Sequence, residues 1–325
     1  MMAATEFSMP PRFPGFPVLV PHPLPAQGLA RLTETFDALK LWQETDRVAA
    51  LADAAPGIRG IASTGAQKID DAFLDQFPKL EIVANLGVGF DHIDIEAARA
   101  RGVVVTHTPG VLVDEVADAA MGLLLCAVRQ LPQADAFVRR GDWAKGPFPL
   151  SASLNGRVLG VLGLGDIGRA IARRAEAFGL KIAYHNRRRR DDAPYAYAAS
   201  PVELARACDI FVVAAPGGPQ TRHIVDASVL EALGPRGILV NIARGSLVDT
   251  AALIAALQQG TIQTAALDVF ESEPDVPPEL RAMPQVVLAP HIGSASVATR
   301  EAMAALVVEN LASWASGAGA VTPVA

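Results

Sequence analysis

Cysteine is scarce: two residues, Cys126 and Cys208, in a chain of 325, both in apolar surroundings. This argues against a disulfide framework and for small buried thiols in a reducing compartment. No apolar run reaches the length that spans a bilayer, and the first residues carry no signal-peptide pattern, so a cytoplasmic protein is expected. Positive charge is in deficit, with a formal net charge of -6. Nucleic acid is therefore not an expected partner, and one basic run, Arg187 to Arg190, is too local to alter that. No cluster of histidine, cysteine and acids has metal-ligand spacing, so no metal is expected. What remains is a strongly apolar composition, 51% hydrophobic against 19% charged, which suits large buried sheets in one or two domains. Pro10, Pro11, Pro14 and Pro17 give the first residues the look of a loose lead-in.

The rest is organised around one stretch, Arg157 to Arg190. An apolar run, Val158 to Leu162, is short enough for a buried strand and opens into Gly163-Leu164-Gly165-Asp166-Ile167-Gly168. A helical pattern follows, with Ile167, Ile171, Ala175 and Phe178 on one face and Gly179 as its stop. A second apolar run, Leu180 to Tyr184, leads into Asn186 and the arginines. Strand, GxGxxG, helix and strand within about 30 residues is the dinucleotide-binding fingerprint in its required context. Gly163 permits the tight turn, Gly165 lets the backbone approach a pyrophosphate, and Gly168 allows close helix packing. The free N–H groups of the helix start face the phosphates.

The end of the second strand selects the nucleotide. An acid there would bind the ribose hydroxyls of NAD. This chain instead has Asn186, Arg187 and Arg188 where the ribose must lie. A guanidinium grips phosphate through two donors at once, so NADPH is the expected cofactor, with NADH as the alternative.

A separate unit must precede the fingerprint. Short apolar runs at Pro17–Val20, Ala38–Leu41, Ile58–Ser63, Leu80–Leu86 and Gly102–His107 alternate with helical patterns, which implies a parallel sheet covered by helices. The fourth run ends in Gly87-Val88-Gly89, whose backbone N–H groups could cradle a carboxylate. Thr108-Pro109-Gly110 reads as a hinge, Val111 to Leu131 as a buried linking helix, and residues 140 to 156 as a long extended loop. Beyond the arginines, strands are expected at Ile210–Ala214, Gly237–Ile242, Thr264–Asp268 and Val286–Leu288, making six with the first two. Helices fall near 201–207, 227–233 and 250–259, and a last one, Val297 to Ser316, should return to the first domain.

Six segments in order carry a family resemblance: Asn85–Asp94 (NLGVGFDHID), Gly163–Gly168, Pro216–His223 (PGGPQTRH), Val240–Asp249 (VNIARGSLVD), Asp268–Pro274 (DVFESEP) and Ala289–Ser296 (APHIGSAS). The chain resembles the D-isomer-specific 2-hydroxyacid dehydrogenases from about residue 50 to 312, and most nearly their glyoxylate/hydroxypyruvate reductase branch. The resemblance implies an α/β fold of two doubly wound parallel-sheet domains. A Rossmann NAD(P)-binding domain, residues 108–291 with the linking helix and a dimerisation loop, would be inserted into a flavodoxin-like substrate domain, residues 1–107 plus 292–325.

It also implies roles. Arg244 would bind the substrate, His291 would give the proton, and Glu273 would support His291, whereas Glu271 is one slot out of phase and reads as solvated. Asp268 would hold the nicotinamide amide, and Ala215, Pro216, Thr221, Ile242, Ala243 and Gly293 would line the cofactor with the glycine loop. Val88 and Gly89 would receive the substrate carboxylate, and Leu86 would line the pocket. Trp143, in Gly141-Asp142-Trp143, would reach the neighbouring subunit's site in a homodimer formed through the nucleotide domain. His92 reads as packing or capping, Asp249 as a helix start, and His107, His185 and His223 as lacking any constellation.

The chemistry is consistent with these parts. Reducing a 2-keto acid takes a hydride to carbon and a proton to oxygen. An arginine can hold the carboxylate and polarise the keto oxygen, and a histidine beside a carboxylate can pass the proton. The expected function is NADPH-dependent reduction of a small 2-keto acid such as glyoxylate or hydroxypyruvate to the D-2-hydroxy acid. The alternatives are an NAD-linked dehydrogenase acting on hydroxyphenylpyruvate or 3-phosphoglycerate, and a non-catalytic, nucleotide-sensing corepressor-like protein. A formate dehydrogenase relative is disfavoured, because the residue before Pro274 is an acid that can pair with His291.

Overall fold

Every strand paired into the two sheets runs parallel to its neighbours, and most are buried on both faces, which is why they read as continuous apolar runs rather than as alternations. The computed structural model describes residues 12–324, and Pro10 and Pro11 lie outside them. The described residues form two units, 12–112 with 297–324, and 113–296. The divisions thus fall at 112/113 and 296/297, where the sequence expectation had 107/108 and 291/292. No helix among the described residues is long and apolar enough to cross a membrane.

In the first unit, strands β1 (Phe13–Val20), β2 (Phe36–Lys40), β3 (Gly60–Ser63), β4 (Ile82–Asn85) and β5 (Val104–Thr106) lie in the order β2-β1-β3-β4-β5. This is the flavodoxin-like order. Helices α1 (Ala26–Thr35), α2 (Arg47–Ala54), α3 (Asp71–Leu74) and α4 (Ile95–Ala100) connect them. Strand alternation divides the core: Val18, Val20, Ile82 and Ala84 face one layer, and Leu19, Ile61 and Val83 the other. Pro14 and Pro17 correct the lead-in expectation, because both sit within β1. The β1–β2 register is interrupted between Phe13 and Val18, so residues without an N–H fit there. The last helix, α12 (Val297–Ala315), closes this unit, burying Met303, Val307, Val308 and Leu311. Gly28 lets α1 approach it: a Cβ there would lie 2.2 Å from that of Ala304.

The second unit opens with α5 (Val113–Arg129) and α6 (Leu131–Arg139), joined through Gln130 at φ 52°. Then follow β6 (Val158–Leu162), α7 (Asp166–Ala177), β7 (Lys181–His185), β8 (Ala196–Tyr197), α8 (Pro201–Arg206) and β9 (Ile210–Val213). The unit ends with α9 (Ala227–Leu233), β10 (Ile238–Asn241), α10 (Thr250–Gln259), β11 (Thr264–Leu267), α11 (Pro278–Ala282) and β12 (Val287–Leu288). The sheet order β12-β11-β10-β9-β6-β7-β8 is the Rossmann arrangement, reversing direction at β6 and β9.

Three expectations change here. The sheet has seven strands rather than six, because β8 has two residues and is too short to show a period. Phe178 does not extend the buried face of α7: the helix ends at Ala177, and Phe178 caps it at 44% exposure. The loop at 140–156 is not wholly extended, since Asp142–Lys145 form a 3-10 turn after Gly141 at φ 75°. Asp142 braces that turn, accepting from Arg140 at 2.9 Å and Lys145 at 2.8 Å.

Candidate active site

The loop after β6 is shaped by what glycine omits. Gly163 has φ 100°, and a Cβ there would lie 2.5 Å from the nitrogen of Ala215, in the loop after β9. A Cβ on Gly168 would lie 2.2 Å from the carbonyl oxygen of Gly163. Gly165 differs, because a Cβ there would meet nothing within 4 Å. It is also the N-cap of α7 and offers the helix no side-chain cap. The first N–H groups of a twelve-residue helix therefore face open space at the carboxyl ends of β6 and β9. These features fit a pyrophosphate. Behind the loop, Leu164 donates its N–H to Oδ1 of Asn186 at 2.6 Å. Across from it, the Thr221 hydroxyl donates to the Pro216 carbonyl at 2.8 Å, closing the next loop on itself.

The basic run sorts into two kinds of arginine. Arg190 pairs with Asp192 at 3.1 Å, which also pairs with Arg169 at 2.6 Å. Hydrogen bonds from these two guanidinium groups pull Asp192 down to about 2. Arg187, Arg188 and Arg189 are exposed, and no ion pair is formed by them among the described residues. Arg187 instead donates to the side chain of Gln220 at 3.2 Å. Three positive charges thus remain at the end of β7.

His291, Glu273 and Arg244 come together in the second unit. Nδ1 of His291 donates to Oε2 of Glu273 at 2.8 Å, which leaves Nε2 directed elsewhere. Oε1 of Glu273 accepts from the Phe270 N–H at 3.0 Å. Burial pulls Glu273 upward, but the His291 and Phe270 hydrogen bonds and the charges of His291 and Arg244 outweigh it and leave it below the usual carboxylate range. His291 has φ 54°, an uncommon conformation for a residue with a side chain, so the neighbouring structure must impose it. Asp268 does so. Its carbonyl accepts from the His291 N–H at 2.8 Å, and its carboxylate oxygens accept from Ile292 at 2.7 Å and Gly293 at 2.8 Å. Asp268 is buried, and burial raises it above the usual range despite those two N–H donors.

Arg244 is placed by a turn at the end of β10. Buried Asn241 donates to the Arg244 carbonyl at 2.9 Å and accepts from the Ala243 N–H at 3.0 Å. Gly245 then brings main chain against main chain, since a Cβ there would lie 1.9 Å from the carbonyl carbon of Phe270. That contact ties the arginine's turn to the segment bearing Glu273. Asn241 and Gly245 were missed in the sequence, although a polar residue closing an apolar strand, as in Leu239-Val240-Asn241, is a readable signal.

Some expected outsiders have partners. Glu271 is exposed, as expected, but not without partners: its side chain accepts from Nε2 of His223 at 2.6 Å and from the Thr250 N–H at 3.3 Å. His223 therefore does have a constellation. His185 bonds through Nδ1 to the Ala198 carbonyl at 2.9 Å, and His107 to that of Val88 at 3.2 Å. Asp249 caps α10, accepting from Ala252 at 3.0 Å. In the first unit, Leu86 packs partly against the core, and the N–H groups of Val88 and Gly89 find no acceptor among the described residues. Trp143 is exposed on its 3-10 turn.

Residues 121–293 match the family model described as D-isomer specific 2-hydroxyacid dehydrogenase, NAD binding domain. The chain belongs to this family. Among its relatives, glyoxylate/hydroxypyruvate reductase A HPR2 of Arabidopsis thaliana is 44% identical over 94% of this chain and 98% of its own length. Hydroxyphenylpyruvate reductase of Plectranthus scutellarioides is 43% identical over the same shares, 94% and 98%. Among solved structures, the NADPH-dependent glyoxylate/hydroxypyruvate reductase of Sinorhizobium meliloti, in complex with NADP and malonate, is 49% identical. It superposes with a TM-score of 0.89, covering 96% of this chain and 97% of that one. The family places a nicotinamide dinucleotide on the second unit, whose glycine loop fits it.

Proposed function

We propose that this protein reduces small 2-keto acids, glyoxylate and hydroxypyruvate foremost, to 2-hydroxy acids with NADPH, of D configuration where the product is chiral. The observation that carries this is the His291–Glu273 pair beside Arg244, on a unit whose glycine loop is built for a dinucleotide. The nicotinamide, when bound, supplies the hydride. His291 holds the proton at Nε2 and gives it to the forming alkoxide. Glu273 fixes the ring's orientation through Nδ1. Arg244 polarises the keto oxygen and binds the carboxylate through its fork of donors. In the first unit, the Val88 and Gly89 N–H groups are read as receivers of a carboxylate, with Leu86 beside them. Asp268, by shaping 291–293, keeps His291 in place and takes the nicotinamide amide.

The preference for NADPH over NADH rests on Arg187 and Arg188, which remain exposed while Arg190 is tied to Asp192, and on Asn186 in place of an acid. The S. meliloti relative, described as NADPH-dependent, supports it. A homodimer formed through the second unit is supported by exposed apolar side chains gathered in one segment: Leu131, Val138, Trp143 and Leu150. Trp143 in that dimer reaches the neighbouring subunit's site. The free thiols of Cys126 and Cys208 support a reducing, cytoplasmic setting.

The test is oxidation of NADPH with glyoxylate, hydroxypyruvate and hydroxyphenylpyruvate, with the chirality of the hydroxypyruvate product determined. Fastest turnover of the two small acids is expected, giving achiral glycolate from glyoxylate and D-glycerate from hydroxypyruvate. Preference for hydroxyphenylpyruvate would move the assignment to the larger substrate. NADPH binding with no turnover would move it to a nucleotide sensor.

A further inference from the structure

At the carboxyl end of β4, a buried side chain works on the loop that follows it. Asn85, the last residue of the strand, is 1% exposed. Its Nδ2 donates to two carbonyls, Gly87 at 3.3 Å and Gly89 at 3.0 Å. Thr108, itself fully buried, adds its N–H to the Gly87 carbonyl at 2.9 Å and accepts the Gly87 N–H on its hydroxyl at 3.1 Å. His107 donates from Nδ1 to the Val88 carbonyl at 3.2 Å, with its ring edge-on to Phe90. All three loop carbonyls are thus drawn toward the protein.

In a trans peptide, the C=O of one residue and the N–H of the next point in opposite directions. Drawing the Gly87 carbonyl inward turns the Val88 N–H outward, and drawing the Val88 carbonyl inward does the same for Gly89. Gly87 has φ 152°, in the region that favours glycine, which the turn requires. The two N–H groups are the ones with no acceptor among the described residues. Their direction is set from behind, by Asn85 with Thr108 for one and by His107 for the other.

Asn85 is an expensive way to close a turn. Its Oδ1 is buried and has no hydrogen-bond partner. A buried acceptor without a donor is a standing loss of stability, which an apolar residue of similar size would avoid. The amide cannot turn over to relieve it, because Oδ1 would then face two carbonyl oxygens. The return on that loss is the orientation of the loop.

We propose that Asn85 and His107 are positioning residues for carboxylate recognition, holding the Gly87–Gly89 carbonyls inward so that the Val88 and Gly89 N–H groups select substrates bearing a carboxylate beside the carbonyl. This rests on the reading of those N–H groups as the carboxylate site.

The experiment compares Asn85→Leu, His107→Leu and His107→Asn with the unaltered enzyme. Readouts are kcat and KM for glyoxylate and for an aldehyde of similar size without a carboxylate, KM for NADPH, calorimetric binding of malonate, and Tm. For Asn85→Leu we expect the glyoxylate KM to rise about tenfold or more and malonate affinity to fall in step, as expected when the donors meeting a charged group lose their aim. The KM for NADPH should hold, kcat should change less, and Tm should change little, because relief of the unpaired Oδ1 offsets the donors lost to the Gly87 and Gly89 carbonyls. His107→Asn, which keeps a donor near the place of Nδ1, should behave like the unaltered enzyme, and His107→Leu should not.

Loss of Tm with an unchanged glyoxylate KM in Asn85→Leu would show a purely structural amide and overturn the inference. Equal losses on glyoxylate and on the carboxylate-free aldehyde would overturn it too. If the unaltered enzyme itself shows no preference for glyoxylate over that aldehyde, the carboxylate-site reading fails instead.

Discussion

Nδ1 of His291 lies 2.8 Å from Oε2 of Glu273, with the histidine backbone held left-handed by hydrogen bonds to Asp268. The backbone is stationed by main-chain contacts and the ring is oriented by a side-chain one, and the two can be separated by mutation. His291→Ala should lower kcat by on the order of 100- to 10,000-fold, the range of a lost general acid. NADPH binding, followed by fluorescence titration, should survive. Near-normal turnover would remove His291 from the reaction.

Glu273→Gln keeps an acceptor for Nδ1 but loses the charge. The ring then keeps a partner for its orientation but loses the negative charge beside it, so kcat should fall while NADPH binding holds. In the unaltered protein Glu273 sits below its ordinary range, so its pairing stabilises the fold above its unfolded pKa and is lost as pH falls through the lower folded value. Acid unfolding of Glu273→Gln, followed by circular dichroism, should lack that contribution. An unchanged kcat would mean that the carboxylate's charge takes no part in the proton transfer.

The glycine loop gives a paired prediction. Alanine at Gly163 must adopt φ 100° and strike the nitrogen of Ala215, so Tm should fall, with at least about 1–2 kcal/mol from the left-handed backbone alone. Alanine at Gly165 meets open space, so Tm should hold. The added methyl stands where a pyrophosphate approaches, and the KM for NADPH should rise roughly tenfold, about 1.4 kcal/mol. Equal effects of the two substitutions on Tm would contradict the packing described.

Replacing Arg187 and Arg188 with glutamine should raise the KM for NADPH by roughly ten- to a hundredfold, the value of charge-assisted bonds of about 1.5–3 kcal/mol. The KM for NADH should barely change. Added salt should weaken NADPH binding in the unaltered enzyme and much less in the double variant. A parallel loss for both nucleotides would place the arginines away from the 2′-phosphate.

Burial pushes the Cys208 thiol up to about 12, and Cys126 is raised by burial as well. The thiolate is the reactive form, so neither should react quickly near neutral pH. Titration with a chromogenic disulfide should find slow reaction in the folded protein and two fast thiols after denaturation. Rapid labelling of Cys208 in the native state would contradict its packing beneath Gly160.

Much of this architecture can be read from the residues. Strand β6, helix α9 and helix α10 occupy the expected positions because each has an unbroken apolar run or period between clear stops. The glycine loop and the histidine segment carry local chemistry, and the family resemblance they supported stands. What escaped was either too short or too distant in sequence. Strand β8 has two residues. Glu271 and His223 are 48 positions apart, so nothing local shows that they pair. Asn85 and Asn241 each close an apolar strand, a visible anomaly, yet which carbonyls they hold depends on the path of the following turn.

Gly245 has a further consequence for anyone redesigning this protein. With main chain resting on main chain at Phe270, residues 244–245 and 270–273 behave as a single graft. Transplanting the arginine loop from a relative with another substrate, without its acidic counterpart, would import a mismatch of curvature, whereas exchanging both together keeps the joint intact.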